Sequence, residues 1–232
     1  MVKIAPSILA ADVLNLERDV RKVVEAGCDW LHVDVMDAHF VPNLAYNADT
    51  VRKLKETFDV PLDVHLMMDE PERYVEKFLL AGADVLTIHA ETKEKRLARE
   101  GRTLGDDANI VWLISLLDLI REAGVKAGIA VRPATHEDIL RPLLSHTDMV
   151  LNMTVEPGFG GQKLNLAVLD KIRLLRSWGY AGEIEADGGV TEENLPLLAR
   201  AGLSVAVIGT TVFHAQDPAR EMTLLRAMGH QE

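Results

Sequence analysis

The sequence has a single cysteine and no long apolar run, and each absence limits what the chain can be. Cys28 is the only cysteine among 232 residues, which excludes an intrachain disulfide and a cluster of metal-binding thiolates. No apolar stretch approaches the roughly 18 residues that a helix needs to cross a bilayer. The first residues, MVKIAPSILAAD, do not lead from a basic segment into an apolar one, so we expect no signal peptide and a cytoplasmic protein.

Positive charge is in deficit, and nucleotide-binding motifs are missing. The chain carries 25 basic and 36 acidic residues, which gives a formal net charge of −11. A surface of this sign repels nucleic acid and anionic membranes, so we expect neither as a partner. There is no G-x-x-x-x-G-K-[ST] and no G-x-G-x-x-G after a strand, which argues against nucleoside triphosphates and dinucleotides. The negative net charge does not exclude a small anionic ligand, because backbone N–H dipoles can attract an anion at one site.

Short apolar runs alternate with longer amphipathic stretches along the whole chain. The predicted strands lie near residues 4–8, 30–35, 61–66, 84–89, 126–131, 148–153, 183–187 and 204–208. The predicted helices lie near residues 14–26, 47–57, 71–81, 109–123, 135–145, 164–178, 191–200 and 217–228. Eight strand-then-helix units predict an α/β fold, a (β/α)8 TIM barrel in a single domain over residues 1–232. Residues 91–107, ETKEKRLAREGRTLGDD, form a charged insertion after the fourth strand.

Four polar residues stand inside three of the apolar runs. His32 and Asp34 lie in WLHVDVMD, His65 in PLDVHLMM and Asp187 in EIEADGGV. Side chains alternate along a strand, so His32 and Asp34 project to the same face, and parallel strands of one barrel would bring all four to its C-terminal mouth. Mixed nitrogen and oxygen donors predict a site for Zn²⁺, Mn²⁺, Fe²⁺ or Co²⁺, with carboxylates placed to move protons. The alternative for each histidine is a hydrogen-bonded core residue.

Glycine-rich loops follow the last three predicted strands. EPGFGGQ spans residues 156–162, DGG spans 187–189 and GTT spans 209–211. Glycines let backbone N–H groups approach an anion, and barrels commonly bind phosphate after strands 7 and 8. The alternative is that a barrel needs glycine turns in any case. The candidate phosphate contacts are Gly158, Phe159, Gly160, Gly161, Gly188, Gly189, Gly209 and Thr210.

Further candidates fall at the ends of the predicted strands. The three methionines at these positions are Met36, Met67 and Met153. They would fill space in the core or, beside a metal ion, form an apolar wall that excludes water. Ser7 could bond a substrate or cap a turn, and His89 could support the metal site. No lysine ends a predicted strand, which argues against a Schiff-base aldolase. The histidines expected on the surface are His39, His136, His146, His214 and His230.

The segments IAPSILAAD, WLHVDVMDAHFVPNL, PLDVHLMM, MTVEPGFGGQ and EIEADGGV resemble the ribulose-phosphate 3-epimerases almost from end to end. The resemblance implies a barrel that binds one divalent metal ion, needs no organic cofactor and interconverts ribulose 5-phosphate and xylulose 5-phosphate. It also implies a homo-oligomer in the pentose phosphate pathway. His32, Asp34, His65 and Asp187 would be the metal ligands, and Asp34 and Asp187 the acid–base pair. The implied substrate contacts are Ser7, His65, the three methionines and the glycine loops.

The sequence departs from that family in four places. Ala38 stands where the family has glycine, Tyr46-Asn47 replaces an aromatic–glycine pair, and Arg132-Pro133 replaces Asn-Pro. The 91–107 connection is more than a dozen residues longer than usual. We expect Ala38 and Arg132 near the catalytic mouth, and we hypothesise that the insertion trims or covers the sugar end. The alternative is a mobile surface loop.

Two other functions stay open from the sequence. The same epimerisation could act on another ketose phosphate such as allulose 6-phosphate, which Ala38, Arg132 and the insertion motivate. A non-catalytic barrel that binds a sugar phosphate is a second possibility, although the full set of carboxylates argues against it. A related barrel decarboxylase would need a D-x-K-x-x-D arrangement, and the corresponding stretch here, DVMDAH, has no lysine.

Overall fold

A parallel β-sheet forms the centre of the molecule. The computed structural model describes residues 1–229, and His230, predicted on the surface, lies outside them. The strands of this part are β1 (Lys3–Pro6), β2 (Leu31–Asp37), β3 (Leu44–Ala45), β4 (Leu62–Met67), β5 (Val85–His89), β6 (Lys126–Val131), β7 (Met149–Met153), β8 (Glu183–Asp187) and β9 (Val205–Ile208). They neighbour one another in the order β1-β9-β8-β7-β6-β5-β4-β2-β3. Each of the eight predicted strands is present.

The sheet curls until its first two strands meet. β1 pairs in parallel with β9, and Ser7, directly after β1, makes a parallel bridge with His32 of β2. The bridge brings β1 beside β2 and completes a ring of eight parallel strands. β3 is a short addition that the sequence did not predict, and it pairs antiparallel with β2 at Met36 and Asp37. The predicted α/β barrel is confirmed.

Helical segments connect successive strands around the outside of the ring. They are α1 (Leu16–Glu25), α2 (Ala48–Thr57), α3 (Val75–Ala81), α4 (Glu94–Arg99), α5 (Asp107–Glu122), α6 (Val168–Ser177), α7 (Leu195–Ala201), α8 (Thr210–Phe213) and α9 (Pro218–Met228). Short 3₁₀ segments cover Ile8–Ala10, Val13–Asn15, Pro71–Arg73 and Glu137–His146. Within residues 1–229, no helix combines the length and the apolar character that crossing a membrane requires.

Three predicted helices differ from the structure for local reasons. The helix predicted over 135–145 is a 3₁₀ segment, and Pro142 inside it has no N–H to donate to an α-helical ladder. The helix predicted from residue 164 begins at Val168, because the preceding glycine loop extends further than its pattern indicates. The helix predicted from Thr191 begins at Leu195, because the Asn194 side chain accepts a hydrogen bond from the Thr191 backbone and holds a turn.

Successive side chains on a strand point in opposite directions, so each strand contributes to two buried regions, one inside the ring and one between the sheet and the helices. Leu31, Val33 and Val35 face outward and join the core between sheet and helices, whereas His32, Asp34 and Met36 face into the ring. The bottom of the ring is filled by an apolar cluster of Ala5, Trp30, Val85, Met149, Val205 and Val207. The buried polar side chains His32, Asp34 and His65 lie further toward the C-terminal ends of the strands, which is where barrel enzymes place their sites.

The inserted segment 91–107 folds against the barrel. Glu91 and Thr92 are buried where the segment leaves β5, and Leu97 of α4 is buried as well. Lys93 Nζ lies 3.5 Å from the centre of the Trp112 ring and 2.7 Å from Glu72 Oε1. These contacts give the segment a defined position at the C-terminal end of the strands.

Candidate active site

The strand register brings four ligand-type side chains together. Asp34 lies opposite His65 across the β2–β4 pair, and Asp187 at the end of β8 completes the group with His32. Their donor atoms all lie within 4.8 Å of one another, and every member is buried. These are the same four residues that the sequence predicted as metal ligands.

The spacing of the four donors fits a single metal ion. Asp34 Oδ1 lies 3.3 Å from His32 Nε2 and 3.5 Å from His65 Nδ1, and Asp187 Oδ2 lies 3.8 Å and 3.7 Å from the same nitrogens. Four ligands about 2.0–2.1 Å from a tetrahedral ion are separated from each other by about 3.4 Å. His32 Nε2 and His65 Nδ1 are buried and have no hydrogen-bond partner within residues 1–229. The donor set and its free nitrogens therefore match what a divalent ion requires.

Each member of the group is also held from its far side. Asp63 Oδ2 lies 2.6 Å from His32 Nδ1, and the Ser7 hydroxyl donates to Asp34 Oδ2 over 2.6 Å. His65 Nε2 lies 2.8 Å from His89 Nε2. Histidine ligands usually engage their second ring nitrogen in this way, which fixes the orientation of the ring.

The two aspartates have opposite electrostatic environments. Burial alone would raise the pKa of Asp34, but the neighbouring His32 and His65 outweigh it and hold that pKa well below its usual range. For Asp187, burial and then the Asp34 carboxylate raise the pKa to about 7. Two carboxyl groups whose pKa values are pushed apart are suited to opposite roles in proton transfer.

A second acidic layer lies beneath the four-donor group. Asp63 and Glu185 approach His32 Nδ1 from below and are fully buried. Burial, and next the Asp63 carboxylate, raise the pKa of Glu185 well above its usual range. Sequence reasoning missed both residues, although each lies two positions before a predicted ligand and therefore faces the same interior.

An open cavity of about 890 Å³ lies above the group, at the C-terminal ends of β1, β2, β4, β7, β8 and β9. Asp34 and Asp187 reach its floor, while Met36, Met67 and Met153 line its wall. His65, which the sequence also proposed as a substrate contact, does not line the cavity, because it is fully buried below the floor. The other predicted contacts that line it are Ser7, Gly158, Phe159, Gly160, Gly161, Gly188, Gly189, Gly209 and Thr210.

Close backbone packing explains two of the glycines at this cavity. Gly188 and Gly189 have φ angles of +113° and +63°, which side chains disfavour. A Cβ at Gly189 would lie 2.5 Å from the Gln162 carbonyl oxygen, so the 187–189 loop touches the 156–162 loop there. The contact brings the backbone of two glycine loops to one side of the cavity.

The cavity has further lining residues that sequence reasoning missed. Lys163 is the one lysine or arginine among its lining residues within 1–229, and Asn194 and Thr211 add polar groups. His214, predicted on the surface, is exposed but stands at the cavity rim. The sequence signal was available, since Thr211 belongs to the 209–211 loop and Lys163, Asn194 and His214 follow the glycine loops within about five positions.

Arg132 and the insertion do not line this cavity. The Arg132 guanidinium is paired with Glu94 at 3.0 Å and stacks over Phe40, so it points away from the cavity. Residues of the insertion and of 132–142 line a second cavity of about 590 Å³. Neither Arg132, Ala38 nor the insertion contributes to the wall above Asp34 and Asp187. The residues that line this cavity therefore give no support to the hypothesis that the insertion covers the sugar end, which stays a prediction.

Comparison with known proteins identifies the family. Residues 3–213 match the model of the "Ribulose-phosphate 3 epimerase family". The chain is 39% identical over 231 residues to the ribulose-phosphate 3-epimerase of Bacillus subtilis, covering 97% of this chain and 99% of that protein. The chain belongs to the ribulose-phosphate 3-epimerase family. A ribulose-phosphate 3-epimerase from Mycobacterium bovis is 42% identical over 229 residues, with 96% and 91% covered. The relatives support an isomerase that acts as an epimerase.

Solved structures agree on the fold. A 3-hexulose-6-phosphate synthase from Salmonella typhimurium superposes with a TM-score of 0.70 at 17% identity, covering 98% of both chains. KGPDC from Streptococcus mutans gives a TM-score of 0.72 at 12% identity, covering 99% of this chain and 97% of that one. At this level of identity the likeness concerns the barrel fold alone. Many unrelated reactions occur on this fold, so the reaction class comes from the match to the epimerase family.

Proposed function

We propose that this epimerase interconverts D-ribulose 5-phosphate and D-xylulose 5-phosphate and depends on one divalent metal ion. The observation that carries the proposal is the meeting of two carboxylates on the floor of a glycine-lined cavity with two histidines buried beneath that floor, whose nearest ring nitrogens have no other partner among the described residues. The family match supplies the reaction class. Substrate and product differ at one carbon centre, so the proposal needs no organic cofactor.

His32, Asp34, His65 and Asp187 would hold the metal ion. Their nitrogen and oxygen donors suit Zn²⁺, Fe²⁺, Mn²⁺ or Co²⁺ better than Mg²⁺ or Ca²⁺. When bound, such an ion supplies Lewis-acid stabilisation of negative charge on substrate oxygen atoms. Its charge also favours the ionised form of Asp187, whose pKa in the absence of a cation is about 7.

Asp34 and Asp187 would move the proton at C3. One carboxylate removes the proton next to the substrate carbonyl, and the other returns a proton to the opposite face of the resulting enediolate. The roles exchange with the direction of the reaction. Ser7 holds Asp34 through the hydrogen bond to Oδ2, so that Oδ1 stays toward the other donors. General acid–base catalysis of this kind contributes about 10²–10⁴-fold to a rate.

The remaining lining residues would bind the substrate and exclude water. Met36, Met67 and Met153 present apolar, polarisable surface beside the carboxylates, which strengthens electrostatic interactions there. Backbone N–H groups of the three glycine loops and of Thr210 suit a phosphate group, and Lys163 adds a positive charge at the rim. A five-carbon substrate would then extend from the phosphate loops to the two aspartates.

Two alternatives are weaker on the contacts observed. Ala38, Arg132 and the insertion motivated a six-carbon substrate such as allulose 6-phosphate, but none of them lines the catalytic cavity. A non-catalytic sugar-phosphate barrel would not require two buried carboxylates beside two buried histidine nitrogens beneath the cavity. We therefore favour the five-carbon epimerase over both.

A coupled assay of xylulose 5-phosphate formation tests the proposal. Metal-replete protein, EDTA-treated protein and treated protein reloaded with Zn²⁺, Fe²⁺, Mn²⁺ or Co²⁺ would be compared, with allulose 6-phosphate as the second substrate. We expect activity on ribulose 5-phosphate that EDTA removes and at least one ion restores. Activity confined to the six-carbon substrate would replace the substrate assignment, and undiminished activity after complete metal removal would exclude the metal.

We further propose a cytoplasmic homo-oligomer. Several large apolar side chains are left exposed on the single chain, among them Leu14 and Leu80, at 89% and 88% of their full accessibility. Large exposed apolar residues support an interface when they cluster. Light scattering on purified protein would give the mass in solution, and the mass of one 25.6 kDa chain would contradict an oligomer.

A further inference from the structure

A chain of hydrogen bonds leads from His65 to the base of the insertion. His65 Nε2 lies 2.8 Å from His89 Nε2, and His89 Nδ1 lies 2.9 Å from Glu91 Oε2. All three side chains are almost completely buried, with Glu91 at 1% of full exposure. A buried carboxylate needs hydrogen-bond partners to offset the loss of water, so Glu91 and the residues that it contacts hold each other in fixed positions.

Glu91 is held from its other side as well. Its Oε1 atom accepts hydrogen bonds from the Arg132 backbone N–H at 2.7 Å and from the Thr135 hydroxyl. These bonds and the contact with His89 hold the pKa of Glu91 at about 2, against the opposing effect of burial. Glu91 is therefore an anchored acceptor that offers His89 no proton.

An anchored acceptor decides which nitrogens of the two histidines carry protons. An ionised carboxylate only accepts, so His89 Nδ1 must donate to Glu91. In neutral His89 the Nε2 atom is then an acceptor, and it takes its hydrogen bond from the N–H of His65 Nε2. His65 Nδ1 is left with a free lone pair, and this is the atom that faces Asp34 and Asp187.

An aromatic contact holds His89 in a second direction. The His65 and His89 rings lie edge to edge across their hydrogen bond, with centroids 4.9 Å apart, and the Phe40 ring is tilted against His89 with centroids 4.7 Å apart. The Arg132 guanidinium lies over Phe40 at 4.4 Å and pairs with Glu94. These contacts therefore connect His89 to α4, the helix of the insertion.

We propose that Glu91 is a positioning residue that fixes the His89 tautomer and thereby presents His65 Nδ1, unprotonated, to the metal. The inference rests on the metal site of the proposed function. It assigns the start of the inserted segment a role beside the site, through the contact of Glu91 with His89, instead of a role as a cover over the cavity. Outer partners of histidine ligands typically alter metal affinity by about 10–100-fold when they are removed.

Co²⁺ titration of metal-stripped protein, followed by visible absorption, tests the role of Glu91. Glu91→Gln keeps the size of the side chain but replaces the acceptor with an amide that can also donate. Glu100→Gln is the matched control, because Glu100 lies in the same segment and is exposed. We expect Glu91→Gln to weaken Co²⁺ binding by about 10–100-fold and to change the absorption bands, with Glu100→Gln within about twofold of the parent.

Histidine ring ¹⁵N NMR of the unsubstituted, metal-free protein tests the tautomers directly, and variants serve only to assign the signals. We expect a protonated Nδ1 on His89 and a protonated Nε2 on His65, with signals assigned from His65→Gln and His89→Gln. The reverse tautomer on His89, or a Glu91→Gln variant that binds Co²⁺ as tightly as the parent, would overturn the positioning role alone. A parent protein that binds no Co²⁺ would overturn the metal site itself.

Discussion

At the scale of single residues, environment separates side chains of the same type. Asp34 and Asp187 are both aspartates at strand ends, yet the pKa of Asp34 is lowered and that of Asp187 is raised to about 7. The difference follows from their neighbours, since His32 and His65 favour a charged Asp34, whose charge then opposes one on Asp187. One residue type can therefore supply both an acid and a base within a single cavity.

Replacing either aspartate tests this division of roles. We expect Asp34→Asn and Asp187→Asn each to lower kcat for ribulose 5-phosphate by about 10²–10⁴-fold, because an amide cannot accept the C3 proton. Steady-state kinetics gives the values, with the exposed Asp170→Asn as the control. A kcat within tenfold of the parent for either variant would contradict its role in proton transfer.

Cys28 shows the effect of burial on a group outside the site. Burial, and then the Asp29 carboxylate, raise the pKa of the thiol to about 12 from an ordinary value of 9.0. The folded state thus binds this proton more tightly than the unfolded state does. The stabilisation is fully present below about pH 9 and is lost as the pH rises toward about 12.

Thiol labelling with a chromogenic disulfide measures this difference directly. At pH 8–9 we expect slow reaction in the folded protein and rapid reaction in urea, because the thiolate is the reactive species. Cys28→Ser supplies the blank. Equal labelling rates in the two states would show that folding neither shields the Cys28 thiol nor raises its pKa.

At the scale of elements, the loop after β2 contains a conformation unusual for its residue. Ala38 has a φ angle of +59°, in the left-handed region, and its N–H donates to the Asn43 carbonyl. Left-handed backbone costs a non-glycine residue about 1–2 kcal/mol. The departure of Ala38 from the family's glycine therefore concerns backbone strain, and it leaves the cavity wall unchanged.

We expect Ala38→Gly to stabilise the protein by about 0.5–1 kcal/mol, since relief of strain exceeds the added entropy of the unfolded chain. Ala98→Gly, in the exposed part of α4, is the control and should destabilise by about 0.5–1 kcal/mol. Urea unfolding compares the two. If both variants lose stability equally, the left-handed conformation at Ala38 is not strained.

The α4 segment depends on one buried apolar anchor. Leu97 is 5% exposed, while basic side chains surround it on the outer face of the segment. Leu97→Ala should ease local opening, since losing a buried leucine costs about 2–5 kcal/mol. Limited trypsin digestion should then cut faster at Lys93, Lys95, Arg96, Arg99 or Arg102. The control is Leu80→Ala, at an exposed position, which trypsin should cut as slowly as the parent. If the Leu97→Ala protein is also cut at the parent's rate, Leu97 does not hold α4 in place.

At the scale of the whole molecule, repetition made the barrel predictable. Eight strands could be located from apolar runs, because each is buried on both sides and leaves a continuous signal. Residue spacing also placed His32, Asp34, His65 and Asp187 at one mouth. The position of Arg132 was not predictable, because it depends on Glu94 and Phe40, which only the folded chain brings together. β3 was missed because two residues give too short a pattern.

The central claim is that this barrel moves the C3 proton with two aspartates at a metal site. Deuterium incorporation at C3 of ribulose 5-phosphate in D₂O tests it most directly, with metal-replete and EDTA-stripped protein measured side by side. We predict deuterium at C3 of both ribulose and xylulose 5-phosphate with the metal-replete protein, and none after stripping. Failure of the metal-replete protein to exchange that hydrogen would contradict the claim.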